Sequence, residues 1–146
     1  IVLLEPPTPF RLSRHVSLAL KIMKDKGASS VVSLISVGDH HPIRMKKINK
    51  DLSVLPFYKE EPQGLRRQDQ EKVYIRNCAV YVFDVKTILS KNLYGSNQFG
   101  FKMDKNLYGI NIDEEDDLLL ARAKYDHFKK NNLLFKIEEI CKIENK

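Results

Sequence analysis

A chain of 146 residues that is 42% hydrophobic suits one folded domain and is too apolar to stay disordered. The net charge of +6 comes from 25 basic and 19 acidic residues. They are interleaved from Arg11 to Lys146 without a block of five lysines and arginines, which argues against a nucleic-acid-binding tract. Cys78 and Cys141, far apart, exclude a disulfide scaffold and suit a reducing, cytoplasmic setting, and no stretch approaches the roughly 18 apolar residues of a membrane span.

The first element is abrupt. Ile1 to Leu4 reads as a buried strand, because a continuous apolar run suits a parallel strand covered on both faces. A strand starting at residue 1 is expected to belong to a core whose other half lies upstream. The rigid loop "EPPTPFR" follows, and then Ser13 can cap a helix whose apolar positions Val16, Ala19, Leu20 and Met23 lie three or four apart. Gly27 is placed to end it, since glycine takes the left-handed conformation at least cost. "SSVVSLISV" (29–37) is a second, β-branched strand. Strand, helix and strand in that order predict a βαβ unit with a right-handed crossover and a parallel sheet.

From Asp39 to about Gln70 the composition turns polar, with Pro42, Pro56, Pro62 and Gly64, and reads as an excursion from the sheet. "KVYIRNCAVYVFDV" (72–85) returns to strand composition with a break at Asn77-Cys78, and Asp84 can cap a short helix. "LYGINI" (107–112) reads as the last strand, with Asp113 capping a long helix from Glu114 to about Lys130. An amphipathic stretch, Leu133 to Ile143, closes the chain. In such a sheet ligands bind beyond the carboxyl ends of strands, which directs attention to 5–11, 38–46 and 111–117.

Three constellations could carry chemistry. Asn111 and Asp113, two apart on a strand, share a face and could offer two oxygens to a divalent cation; equally, Asp113 is a good helix cap. In "GDHHPIRMKK", His40 and His41 are adjacent and lack metal-helix spacing, so an ordinary polar loop accounts for them. On a strand, Arg44 and Lys46 would face one way and Lys47 the other. "LRRQDQEKVYIRN" gathers Arg66, Arg67, Gln68, Arg76 and Asn77, planar donors suited to gripping a carboxylate or phosphate. Exposed pairing of Arg66 and Arg67 with Glu60, Glu61 or Asp69 is the bland alternative. There is no GxSxG, no cysteine with an evident base and no glycine-rich phosphate loop.

Taken in order, "LLEPPTPFR" (3–11), "SVVSL" (30–34), "DHHPIRM" (39–45), "RRQD" (66–69), "YIRNCAVY" (74–81) and "NIDEEDD" (111–117) resemble the motifs of the acylneuraminate cytidylyltransferases. That family shows LLQPTSPLR, SVVSV, HHP(Y/L)(K/R), RRQDLP, YxxNGAIY and DIDTxxD in the same order. The resemblance implies an α/β, Rossmann-like, mostly parallel sheet with helices on both faces, of the nucleotide-diphospho-sugar transferase type. It also implies a β-rich dimerisation excursion over 39–77, a homodimer, and a C-terminal helical extension over 132–146 beyond the alignable part.

By the same resemblance, the chain transfers CMP from CTP to a sialic-type (nonulosonic) 2-keto sugar acid with release of pyrophosphate, using Mg2+. Asp113 matches the second aspartate of DID, and Asn111 stands where the first would be, bringing no charge. Arg44 matches the basic residue after HHP, which implies that it faces the sugar carboxylate or phosphates. Arg67 and Gln68 match the RQ of RRQD, which resembles the part of the sugar-acid pocket lent across the dimer by the partner subunit. Glu5 replaces the glutamine of LLQPTSP and would accept from sugar hydroxyls, Thr8 carries any hydroxyl role there, and Asn77 matches the asparagine of NGAIY. Cys78 stands for the glycine of that motif, which predicts less room or a different turn at Asn77. No role passes to Arg76, because a one-residue slip reverses a strand residue's face.

The family's basic phosphate loop precedes LLQPTSP, so the resemblance implies that the N-terminal nucleotide-binding strands are missing. The chain is then a fragment, or a non-catalytic half acting only through another chain. A CMP-Kdo-type synthetase shares this fold and chemistry and is the enzyme alternative. Neither nucleic acid nor membrane is an expected partner.

Overall fold

The computed structural model describes residues 1–131, so the extension expected over 132–146 lies outside the described residues. In chain order the elements are β1 (Val2–Leu3), α1 (Ser13–Lys26), β2 (Ser30–Ser36), β3 (Lys46–Ile48), β4 (Val54–Pro56), β5 (Tyr74–Phe83), α2 (Val85–Leu89), β6 (Gln98–Lys102), α3 (Lys105–Tyr108) and α4 (Glu115–Lys130). Two 3-10 turns, Pro42–Arg44 and Arg67–Asp69, punctuate the excursion. Among the described residues no helix is long and apolar enough to cross a membrane.

The main sheet has the order β1-β5-β2-β6, and β3 and β4 form a separate hairpin. Strand β5 is antiparallel to both its neighbours, whereas β2 and β6 are parallel. Strands β1, β2 and β6 therefore all run one way, with β5 against them. The expected mostly parallel sheet is corrected to a mixed one. The excursion leaves from the carboxyl end of β2 and returns at that same end, so the next strand has to run back, into the gap between β1 and β2. Hydrophobic pattern records burial, and carries no information on direction.

Helices cover both faces. On one, Val31, Ile35, Val80, Val82 and Phe101 pack with Ala19 of α1 and Phe128 of α4; on the other, Val32, Tyr81 and Phe83 meet Ile88 of α2 and Tyr94. Two expectations fail at the ends of the sheet. Ile1 to Leu4 are 39–58% exposed, since β1 is an edge strand paired only to β5 among the described residues. The segment 107–112 is not a strand: α3 takes Leu107 and Tyr108, and β6 is the strand that completes the sheet. Gly100 masks β6 in the sequence, and a Cβ there would lie 2.6 Å from the Leu34 side chain, so the parallel neighbour covers a glycine.

Gly27 ends α1 with φ 55°, as its sequence position predicts. The start differs. Leu12, not Ser13, is the cap, and its N–H donates to His15 Nδ1 at 3.1 Å. The His15 ring is buried edge-on against Tyr108, 4.6 Å between ring centres. Burial, helped by the neighbouring Arg14 charge, pushes its pKa from 6.5 down to about 4.

A histidine kept neutral by folding supports the fold fully above its unfolded pKa of 6.5, and that support is lost as pH falls towards 4. Stability should drop on the order of 2–3 kcal/mol across that window. Urea unfolding at pH 7.5 and pH 4.5 should show this loss, and His15→Gln, which keeps an acceptor without a titrating ring, should lack it. Equal slopes for both proteins would remove His15 as the cause.

Candidate active site

The shared direction of β1, β2 and β6 brings their carboxyl ends to one edge of the sheet. The segments Glu5 to Thr8, Val37 to Asp39 and Met103 to Lys105 emerge there, beside the amino end of β5. This is the edge where ligands bind in open α/β sheets.

The first group of site residues forms around a bulge in β5. Val32 pairs with Tyr81 but Leu34 pairs with Arg76, so Ser33 alone faces Asn77 to Val80. Cys78 sits at φ 59°, a left-handed conformation that glycine adopts more cheaply, so the cysteine takes up a backbone shape suited to the glycine it stands for. The backbone N–H of Val80, displaced from the ladder, donates to Ser33 Oγ at 2.9 Å. The bulge turns Asn77 inward. Its Nδ2 donates to Tyr108 O at 3.1 Å and touches Met103 Sδ at 3.4 Å, while its carbonyl accepts from Thr8 Oγ1 at 3.3 Å. Its Oδ1 is buried without a hydrogen-bond partner among the described residues.

Thr8 is fully buried and lies 3.3 Å from Asn111 Oδ1, to which its hydroxyl can also donate. Asn111 Nδ2 in turn donates to Asp113 Oδ2. Asn111 and Asp113 thus meet, although no strand carries them. Asp113 does not cap α4. Glu114 does, and Asp117 Oδ2 accepts from the N–H groups of both Asp113 and Glu114 at 3.0 Å. The Asp113 carboxylate is thereby left facing Asn111.

Glu5 belongs to the same loop, whose shape is held by Arg11 Nη1 donating to Glu5 O at 2.6 Å and Thr8 O at 3.0 Å. On the opposite face of the bulge, Tyr81 donates to Cys78 Sγ at 3.3 Å. Burial, then that bond and the Cys78 and Glu5 charges, raise the Tyr81 pKa and keep it protonated. Arg76 lies over the Tyr94 ring at 5.0 Å, away from the first group.

The second group lies in the excursion. Arg44 is in a 3-10 turn rather than on a strand, so its expected shared face with Lys46 does not exist. Arg44 and Arg67 converge on one oxygen of Asp39, at 3.6 and 3.0 Å. Arg66 pairs with Asp69 at 2.8 Å, as the bland reading had it for that residue alone. Gln68 and Arg67 line a hollow of about 250 Å3 with Ser36, Gly38 and Lys72. His41 is structural: its Nδ1 accepts from Ile43 N–H at 3.2 Å and its Nε2 sits 3.0 Å from Glu71 O. A hollow of about 700 Å3 lies elsewhere, between Phe10, Leu12 and α4, and is lined by none of the expected site residues.

Among the described residues no three His, Cys, Asp or Glu side chains gather to hold a metal. Asp113 offers one carboxylate and Asn111 an amide whose oxygen is turned to Thr8. One carboxylate suits Mg2+ only where substrate phosphates and water complete its octahedron. Sequence reasoning gave no role to Asp39, although it opens DHHPIRM, or to Lys105; the contacts of Asp39 with the two arginines and of Lys105 with Val37 mark them.

The chain is a mixed α/β protein with a polar network and a basic cluster at the carboxyl edge of its three like-directed strands. The chain is a distant relative of the N-acylneuraminate cytidylyltransferases. Proteins of that name from Streptococcus agalactiae serotypes V, III and Ia are each 25% identical to it over 150 residues. The match covers 99% of this chain and 36% of each relative, so the chain spans about a third of their length. No family model matches.

Thr8→Val removes the hydroxyl that ties the β1 loop to Asn77 and Asn111. It should cost about 1–3 kcal/mol in urea unfolding, the usual loss when buried partners are left unpaired. An unchanged midpoint would show that the loop is held by other contacts.

Proposed function

We propose that this chain supplies the sugar-acid and metal side of a cytidylyltransferase site. The anomeric hydroxyl of a sialic-type 2-keto sugar acid attacks the α-phosphorus of CTP, the bond to pyrophosphate breaks, and a CMP-sugar acid forms. The CTP phosphates are gripped by a loop outside these 146 residues. The observation that carries this reading is the Thr8–Asn77–Asn111–Asp113 network at the ligand-binding edge, made by residues of three separate motifs.

In this reading Asp113 is the metal-facing carboxylate. Asn111 and the Asp117 cap orient it, and Thr8 and Asn77 hold Asn111 in place. Mg2+ bound at Asp113 and to the phosphates would neutralise the charge that builds up as pyrophosphate leaves. Arg44, Arg67 and Gln68 bind the sugar carboxylate, and Glu5 accepts from sugar hydroxyls. Positioning and electrostatics, rather than a covalent step, account for the rate. The apolar surface of the β3–β4 hairpin and its flank (Ile48 71% exposed, Phe57 56%, Tyr58 71%) supports a homodimer formed through 39–77. A cytoplasmic location accords with the enzyme's nucleotide substrate.

The test is pyrophosphate release from CTP and N-acetylneuraminic acid by the protein with its phosphate-binding segment. Asp113→Ala should lower kcat at least about a hundredfold with the circular dichroism unchanged, in line with removing one electrostatic contact from a reaction centre. Substantial turnover at saturating Mg2+ would refute that role. Arg67→Ala should raise the KM for the sugar acid about tenfold or more and leave that for CTP alone, as the loss of a charge-assisted contact predicts. A KM for the sugar that does not move would take Arg67 out of the pocket.

A further inference from the structure

Gly38 follows β2 at φ +61°, and the space where a side chain would start is taken by cations. A Cβ there would lie 2.7 Å from Lys105 Nζ and 4.0 Å from Arg67 Nη2. Lys105 reaches this point from the first turn of α3, its Nζ donating to Val37 O at 3.2 Å. Arg44 and Arg67 meet the next residue, Asp39, through the same oxygen. Two guanidinium groups thus share one carboxylate, with the Lys105 ammonium held against the preceding two residues, Val37 and Gly38.

The grip on Asp39 is weaker than these groups allow. A guanidinium can hold a carboxylate with two parallel bonds, yet both arginines are drawn to the same Asp39 oxygen, and the Arg44 contact is long at 3.6 Å. Arg44, Arg67 and Asp39 are 52%, 68% and 64% exposed, so water screens the pairs and exchanging one carboxylate for another costs little.

We propose that Asp39 is an internal stand-in for a ligand carboxylate. It holds Arg44 and Arg67 where an acid binds, and yields them, with Lys105 as a third contact, when the acid arrives. The inference rests on the sugar-acid reading and adds to it two residues that set affinity. Gly38 is part of the device, because any side chain there would displace the Lys105 ammonium.

The experiment is calorimetric titration of the 146-residue chain with N-acetylneuraminic acid and, separately, with its methyl ester, which lacks the charge. Asp39→Asn should tighten binding of the acid about two- to fivefold, the worth of an exposed competing pair. Lys105→Met should weaken it about three- to tenfold and Lys105→Arg should restore it. Neither variant should change binding of the ester. An acid bound equally or more weakly by Asp39→Asn overturns the exchange alone. A wild-type chain that binds neither compound, or both equally, overturns the sugar-acid reading and the exchange with it.

Discussion

The bulge in β5 is the constraint on which the site depends. An unbroken ladder from Tyr74 to Phe83 would place Asn77 as an ordinary strand residue. Three extra residues opposite Ser33 instead let the chain turn at Cys78, in a conformation that costs a non-glycine residue on the order of 1 kcal/mol or more. Two contacts compensate: Ser33 satisfies the stranded N–H of Val80, and Tyr81 bonds the Cys78 sulfur. What the strain secures is Asn77 inside the sheet edge, its side-chain amide tied to Tyr108 and Met103 and its backbone carbonyl to Thr8.

From that anchor the edge is built outward. Thr8 connects the loop after β1 to the segment after α3, although these are about a hundred residues apart in sequence. Asn111 relays the connection to Asp113, and Asp117 caps the backbone so that the Asp113 side chain is not consumed as a helix cap. The carboxylate is thus positioned by neutral groups, and its charge remains available. The basic group around Gly38 has the opposite design. Its members are exposed, held by single-oxygen contacts, and carry more positive charge than the adjacent acid cancels. One part of the edge runs from buried Thr8 and Asn77 out to an exposed Asp113, and the other is exposed throughout its ion pairs.

The sequence by itself determined the elements whose pattern is local. The 3.6-residue spacing of α1, the glycine that ends it, the β-branched run of β2, and the break at Asn77-Cys78 were all legible, because each is a property of neighbouring residues. The order of motifs was legible too, and it pointed to the relatives later found. The tertiary structure alone decided strand direction and the neighbours of each strand, since β5 enters between β1 and β2 for reasons of chain path rather than hydrophobicity. It also decided that Gly100 lies in a strand, that 107–112 does not form one, and that Asp39 and Lys105 stand beside Arg67. Those are contacts between residues far apart in sequence, set by packing and charge in three dimensions, and no local pattern encodes them.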